Sequence, residues 1–554
     1  MKNWFNRWLL GAASFVALTA LAPSGALAVD CMDANNSMSV TGVDCLQIAR
    51  EASGLSTFPD PICPPGPPTS CADANSNGGV DLSDALLCFR QVNGLPNVII
   101  PCATPATPVA CGSTRSGNIT SSQIWQNCGA NPSVTLTGPT FVQPGVTITV
   151  QAGARVEANP GVTATLVFAR GSRIIANGNA TNPIVFTSNS PPKSTGDWGG
   201  IVLNGFAQAN CGGSCFSEGF DPMVTPVAFG GNDDNDTSGI MRFVRIEFSG
   251  ITLSPDNELN VLTLNGVGRG TQMDHVQTHR GDDDCFEWFG GTVDLKFAVA
   301  SGCLDDLLDS QLGYRGRVQH ALAVQELSGL DTGDRHAFEW DNNETVQGAT
   351  PFSEPRMCNV TAVGTKNQGG AAGGKQGARI RRGTAGVISN TIISDFETVG
   401  LDVRDNTTTC PQIFSDFPTP CTTLKTVSPF LVVRDSLIFD VGATGTNYIA
   451  SQCAAPCNVQ TAWTTQRNLQ LGADPGYATA NPTFPTSAAD ANKYVPTAGS
   501  NADNLVTTSC NATLSDAFFD ASADYAGAFA PTNTPANSNW LITTGPWINF
   551  NLTN

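Results

Sequence analysis

The feature that most constrains this chain is a recurrence of short β-rich runs at nearly constant spacing. From Ile124 onward, runs such as VTITVQAGARVEA, TLVFARGSRIIANG, RFVRIEF, VLTLNGV, LKFAVAS and PFLVVRDSLIF alternate apolar with polar residues, and Gly, Asn, Asp or Pro bound each one. Comparable positions often recur every 20 to 25 residues: His275-Val276, Phe297-Ala298 and His320-Ala321 follow at steps of 22 and 23. Phe286-Glu287-Trp288 and Phe338-Glu339-Trp340 lie 52 apart, about two such steps. A repeat this short cannot bury a core alone, so successive repeats must stack. The pattern predicts a mainly β protein, a parallel β-helix of roughly a dozen coils. The coils are expected over 124–455, with C-terminal coils and a cap over 456–554. A β-sandwich is the competing architecture, but its strands need keep no coil period.

Charge narrows the function. Only 14% of the 554 residues are charged, and the formal net charge is −19. Such a field repels phosphate backbones, which argues against nucleic acid, and it suits divalent cations. At the N-terminus, Lys2 and Arg7 precede an apolar run from Trp8 to Leu21, and Ala26-Leu27-Ala28 supplies a small-residue cleavage site. Residues 1–28 therefore read as a secretory signal peptide. The run is short for a bilayer span and no other is long enough, so no transmembrane segment is expected after cleavage. The expected destination is extracellular, the outer cell surface or the periplasm. All 18 cysteines follow the cleavage site, as disulfides in an exported chain would require. Cys211/Cys215, Cys410/Cys421 and Cys453/Cys457 are close enough in sequence to staple loops locally.

Between the leader and the β-rich body lies an internal repeat. CMDANNSMSVTGVDCLQIAREASGL at 31–55 and CADANSNGGVDLSDALLCFRQVNGL at 71–95 match at an offset of 40. Calcium takes six to eight oxygens, and a twelve-residue loop supplies them from alternate positions. In the first copy the donors are Asp33, Asn35, Ser37, the Ser39 carbonyl and Asp44. In the second they are Asp73, Asn75, Asn77, the Gly79 carbonyl and Asp84. An apolar helical pattern follows each loop. The segment resembles a dockerin type I domain, a small α-helical module with EF-hand-like loops. That resemblance implies Ca²⁺ as cofactor and a cohesin-like or cell-surface protein as partner. Gly42-Val43 and Leu82-Ser83 depart from the hydroxyl pair that dockerins use to choose a cohesin, so calcium binding carries over better than docking. The module is expected over 29–98 and a Pro/Thr-rich linker over 99–123.

The body also resembles a family of exported bacterial proteins with a right-handed parallel β-helix. ATNPIVFTSNSPPKSTGDWGGIVLNG, IMRFVRIEFSGI, GDDDCFEWFGGTVDLKFAVASGCLDD, NPTFP, AGSNA and DYAGAF carry the likeness across nearly all of 124–554. It implies architecture and brings no activity with it.

Chemistry concentrates around HRGDDDCFEWFGG at 279–291. Asp282, Asp283 and Asp284 are followed about one coil later by Asp305, Asp306 and Asp309. Rungs of a solenoid lie ~4.8 Å apart, so carboxylates stacked on successive rungs repel unless protonated or bridged by a cation. Asp283, Asp284, Asp305 and Asp306 are therefore the catalytic candidates, with calcium ligation as the rival use. Asp283-Asp284-Cys285 resembles the paired-aspartate motif of polygalacturonases, in which two carboxylates act as acid and base. The Gly-His-Gly motif expected a coil later is missing, and ARIRRG at 378–383 matches the basic substrate segment only loosely. A lyase would use Arg315, Arg335 or Lys375 as base. The GGNDDNDTSG loop offers Asp233, Asp234 and Asp236 to a cation or forms a polar turn. His275 and His279 are too far apart on one strand to share a zinc ion, and the four histidines read as polar surface positions. Trp288, Phe289, Tyr314 and Trp340 suit a sugar platform or stacks inside the coils. The functional expectation is a secreted calcium-binding protein with an extracellular or surface binding or assembly role involving polysaccharide. The alternative is a polysaccharide lyase or glycoside hydrolase acting at Asp283/Asp284.

Overall fold

Each coil is built from two stretches of alternating sequence. The computed structural model describes residues 106–551, apart from 162, 213–214, 224–225, 255–256, 328–334, 369–374, 506–507, 533–538 and 544–546. The chain divides after Cys102, and every described residue lies on the C-terminal side of that point. The leader and both calcium loops thus fall outside the described residues.

In the central coils a long strand is followed, after a turn, by a shorter one. Long strands include Gly239–Glu247, Gln272–His279, Leu295–Ser301, Arg317–Val324 and Arg356–Val363. Short strands include Ile201–Asn204, Leu262–Asn265, Phe286–Phe289, Leu308–Gln311, His336–Trp340, Gln376–Ile380 and Val399–Val403. Every one pairs in parallel with its counterpart one rung on, which makes the body a parallel β-helix. The register is continuous along the short strands: Leu262, Phe286, Leu308, Phe338, Ala378 and Leu401 form one inward column. Parallel pairing needs every strand covered, and these columns fill the coil interior with buried Val, Leu, Ile, Phe and Trp. Trp288 and Tyr314 stack there with ring centroids 5.2 Å apart, and Trp340 is fully buried, so these rings serve the core.

Each long strand bends at one residue with positive φ. Phe243, His275, Phe297, His320 and Asn359 hold φ between 50° and 58° on successive rungs. Such residues cost about 1–3 kcal/mol each, and stacking offsets part of that. Ring centroids are 4.2 Å apart for Phe243–His275, 4.6 Å for His275–Phe297 and 5.2 Å for Phe297–His320. The steps of 22 and 23 residues noted in the sequence are this column. The histidines are correspondingly not surface residues: His279, His320 and His336 are buried. A stacked solenoid turns a polar residue at a bend into a neighbour of the residue above and below it.

Strand formation begins earlier than the sequence suggests. Thr107–Val109 and Ser113–Ile119 lie inside the stretch read as linker, and the second pairs in parallel with Val134–Val142. Ser113–Ile119 buries only its last residue, so it lacks the alternation that marks later strands. Among the described residues no strand follows Gln470–Leu471. The described part of the remaining chain runs back over the long strands as a strap, with no further coil among the described residues. Val299, Leu322, Val324 and Val363 point outward and are covered by Phe529, Leu541, Trp547 and Phe550. Gln277 and Asn549 exchange two hydrogen bonds of 2.6 and 2.8 Å, and Cys358–Cys510 fastens the strap covalently. The twelve described cysteines form six disulfides. Cys211–Cys215 is a local staple as expected, but Cys410 pairs with Cys453 and Cys421 with Cys457. The reason is stacking: Val403 lies opposite Ser451, so Cys410 and Cys453 leave adjacent rungs side by side.

Candidate functional site: a stacked carboxylate ladder

The turn before each short strand, and the outward positions of the strand itself, carry the acids. Since Phe286 pairs with Leu308 and Leu308 with Phe338, the register aligns Asp284, Asp306 and His336 on three rungs, and Glu287, Asp309 and Glu339 beside them. The backbone ties the first column together. Asp284 Oδ1 accepts from the Asp306 N–H at 2.8 Å, and Asp306 Oδ1 accepts from the His336 N–H at 2.5 Å. Cys285–Cys303 locks the two acidic turns to each other. Two antiparallel hairpins stand above the face, Cys215–Phe216 with Ala228–Phe229 and Ile251–Ser254 with Asn257–Leu259. They are joined by the Gly219 N–H donating to Asn257 Oδ1 at 2.8 Å. Glu218 and Glu258, which the sequence reading passed over, sit on these hairpins and act electrostatically on Asp283.

Three groups of donor atoms converge within 4.8 Å: Asp283, Asp284 and Asp305; Asp284, Glu287 and Asp309; and Asp306, His336 and Glu339. All four acids singled out in the sequence are among them. Asp283, Asp284, Glu287, Asp306 and Asp309 are buried. Burial pushes the carboxyls of all five well above their usual range, and mutual repulsion adds to it: Asp305 acts on Asp283, Asp283 on Asp284, Asp309 on Glu287, and Glu339 on both Asp306 and Asp309. Burial beside Glu258 raises Glu218 to about 7. Burial also acts to raise Glu339, but His336, Arg381 and Arg379 hold it below its ordinary value.

The donor set fits a hard divalent cation. Two oxygens on opposite sides of calcium, each ~2.4 Å from it, stand ~4.8 Å apart. The first two groups contain only carboxylate oxygens. Asp309 Oδ1 and Asn260 Oδ1 are buried without a hydrogen-bond partner, while the Asn260 amide already donates to Glu287 Oε2. Such orphaned acceptors are costly unless something positive meets them.

The basic residues are each engaged by an acid or a backbone carbonyl, Arg381 by the ladder's own Glu339 as well as by Asp341. Arg381 Nε donates to Asp341 Oδ1 at 2.9 Å and Nη2 lies 2.5 Å from Glu339 Oε1; Arg382 pairs with Asp341 and Glu344. Arg315 forks onto Asp234 at 3.0 and 3.1 Å, Arg335 donates to the Cys303 and Glu326 carbonyls, and buried Lys375 lies 3.8 Å from Glu397. The GGNDDNDTSG loop is a structural tie: Asp234 holds Arg315 and Asp236 accepts from the Phe206 N–H at 3.0 Å. A cavity of about 290 Å³ lined by Arg170, Cys215 and Phe229 contains no acid.

Residues 117–466 match the family described as the pectate-lyase-like β-helix domain. This chain belongs to that family. The match takes in every residue of the carboxylate ladder and ends before the strap. No curated protein and no solved structure matches the chain.

Proposed function

We propose that this protein is an exported, calcium-dependent polysaccharide-binding factor whose β-helix engages an acidic glycan at the carboxylate ladder. The observation that carries this reading is the group Asp284, Glu287 and Asp309: three buried carboxylates within 4.8 Å and two orphaned acceptors, Asp309 Oδ1 and Asn260 Oδ1. Membership of the pectate-lyase-like family supports a polysaccharide-related role. When bound, calcium would supply positive charge that joins the ladder to carboxylates of the glycan. The protein's own residues do the rest. Cys285–Cys303 and the Asp284-to-Asp306 hydrogen bond fix the spacing of the acids. Phe216 and Leu253 on the two hairpins are exposed and offer apolar surface to sugar rings.

The front module, with Asp33, Asn35, Ser37, Ser39 and Asp44 in one loop and Asp73, Asn75, Asn77, Gly79 and Asp84 in the other, is proposed to bind further calcium and to attach the β-helix to a cohesin-like or cell-surface protein. Binding is favoured over cleavage because Arg381, Arg382, Arg315 and Lys375 all have carboxylate neighbours, and a lyase base must be free to take a proton. Polygalacturonate affinity measured with calcium and with chelator tests the reading. Calcium-dependent binding that is lost in Glu287→Gln is expected. Binding indifferent to both contradicts it. Accumulation of ultraviolet-absorbing unsaturated product would turn the assignment to a lyase at Asp283/Asp284.

A further inference from the structure

The third donor group differs in chemistry from the other two. Asp306 and Glu339 contribute oxygens, but His336 contributes an imidazole nitrogen. Asp306 and His336 are fully buried, and Glu339 keeps 15% of its side chain exposed. His336 Nδ1 lies 2.8 Å from Asp306 Oδ1 and 3.7 Å from Glu339 Oε2. Three ligand atoms at ~2.0–2.2 Å from a tetrahedral ion stand ~3.3–3.6 Å apart, so these distances bracket the requirement.

We propose that Asp306, His336 and Glu339 form a second metal site, selective for a transition-metal dication and best suited to zinc. Imidazole nitrogen favours zinc over calcium, whereas the neighbouring all-oxygen groups favour calcium. The outer contacts are those that orient metal ligands. Arg381 holds Glu339 by Oε1 and leaves Oε2 toward His336, and the His336 N–H fixes Asp306 through Oδ1. Arg379 and Arg381 oppose a cation, but Asp305, Asp309 and the ligands Asp306 and Glu339 together outnumber them four to two. Three protein ligands leave a fourth position for water. His336 sits one rung from Asp306 and two from Asp284, in the same column. The column thus changes from oxygen to nitrogen donors as it climbs.

Cobalt(II) is the probe, added to the full chain in excess calcium so that the oxygen sites are filled. A visible d–d absorption of four-coordinate cobalt, displaced by one equivalent of zinc, is expected. His336→Gln and Glu339→Gln should each weaken zinc roughly 100-fold or more, and Glu287→Gln should leave it unchanged. Absence of the band, or a band that survives Glu339→Gln in a variant with native melting behaviour, overturns the proposal. Loss of calcium-dependent glycan binding with the cobalt band intact would count against the polysaccharide reading and support this one.

Discussion

The ladder predicts an inverted dependence of calcium stabilisation on pH. Carboxylates one rung apart, ~4.8 Å, repel by ~3.5 kcal/mol at an effective dielectric constant of ~20. Burial, with repulsion from Glu258 behind it, raises Glu218 from 4.5 to about 7, which corresponds to about 3 kcal/mol. A carboxyl raised on folding contributes stability that is fully present below its unfolded value and is lost as pH rises through the folded one. Without calcium the protein should therefore lose stability between pH ~4.5 and ~7 as Glu218 ionises, and the ladder carboxyls, raised in the same direction, add to the loss as pH climbs. The histidines act oppositely. Burial lowers His279 to about 3 and His320 to about 4, so their contribution is present above pH ~6.5 and is lost as pH falls. Because both histidines lie under the strap, they cancel in the difference between calcium and chelator. Scanning calorimetry of the full chain at pH 4.5 and 7.5, with and without calcium, should show little effect at the lower pH. At the higher pH, relieving one such repulsion is worth ~4 °C for a cooperative unit of this size. Glu287→Gln should raise the melting temperature in chelator and shrink the calcium response. Equal calcium shifts at both pH values, or an unchanged response in Glu287→Gln, would refute the reasoning.

Three further outcomes are expected. Asp73→Ala with Asp84→Ala should remove one calcium from the stoichiometry measured by calorimetry; an unchanged count would refute the loop assignment. Replacing both Cys358 and Cys510 by alanine opens a closure of 152 residues, worth up to ~5 kcal/mol by chain entropy, and limited proteolysis should then cut the strap first. Trp547→Ala should cost about 3–5 kcal/mol, because Trp547 is fully buried between the strap and the Phe243–His275 stack; a loss below 1 kcal/mol would mean that the strap does not seal that face.

The sequence exposed the coil because coil repetition is one-dimensional: steps of 22 and 23 residues at His275, Phe297 and His320 become vertical stacks. It exposed the acids of the turns for the same reason, since Asp284 and Asp306 are 22 apart. His336 and Glu339 were harder to place because the next rung takes 30 residues, and the one after takes 40, so a fixed period loses them. Glu287 and Glu339 had a visible signal in the repeated Phe-Glu-Trp, whose aromatics point inward and force the glutamate out. Glu218 and Glu258 left none. They arrive on hairpins inserted between rungs, and only folding sets them above the ladder. The strap was hidden because its partners lie from 118 to 302 residues earlier, as Asn390 does from Thr508 and Glu247 from Asn549.

The most direct test of the ladder is a crystal of the full chain soaked with terbium, a calcium mimic with strong anomalous scattering. The account predicts a peak within ~2.3–2.6 Å of oxygens from Asp284, Glu287 and Asp309. It would be contradicted by density confined to other parts of the molecule, with those three side chains hydrogen-bonded only to protein.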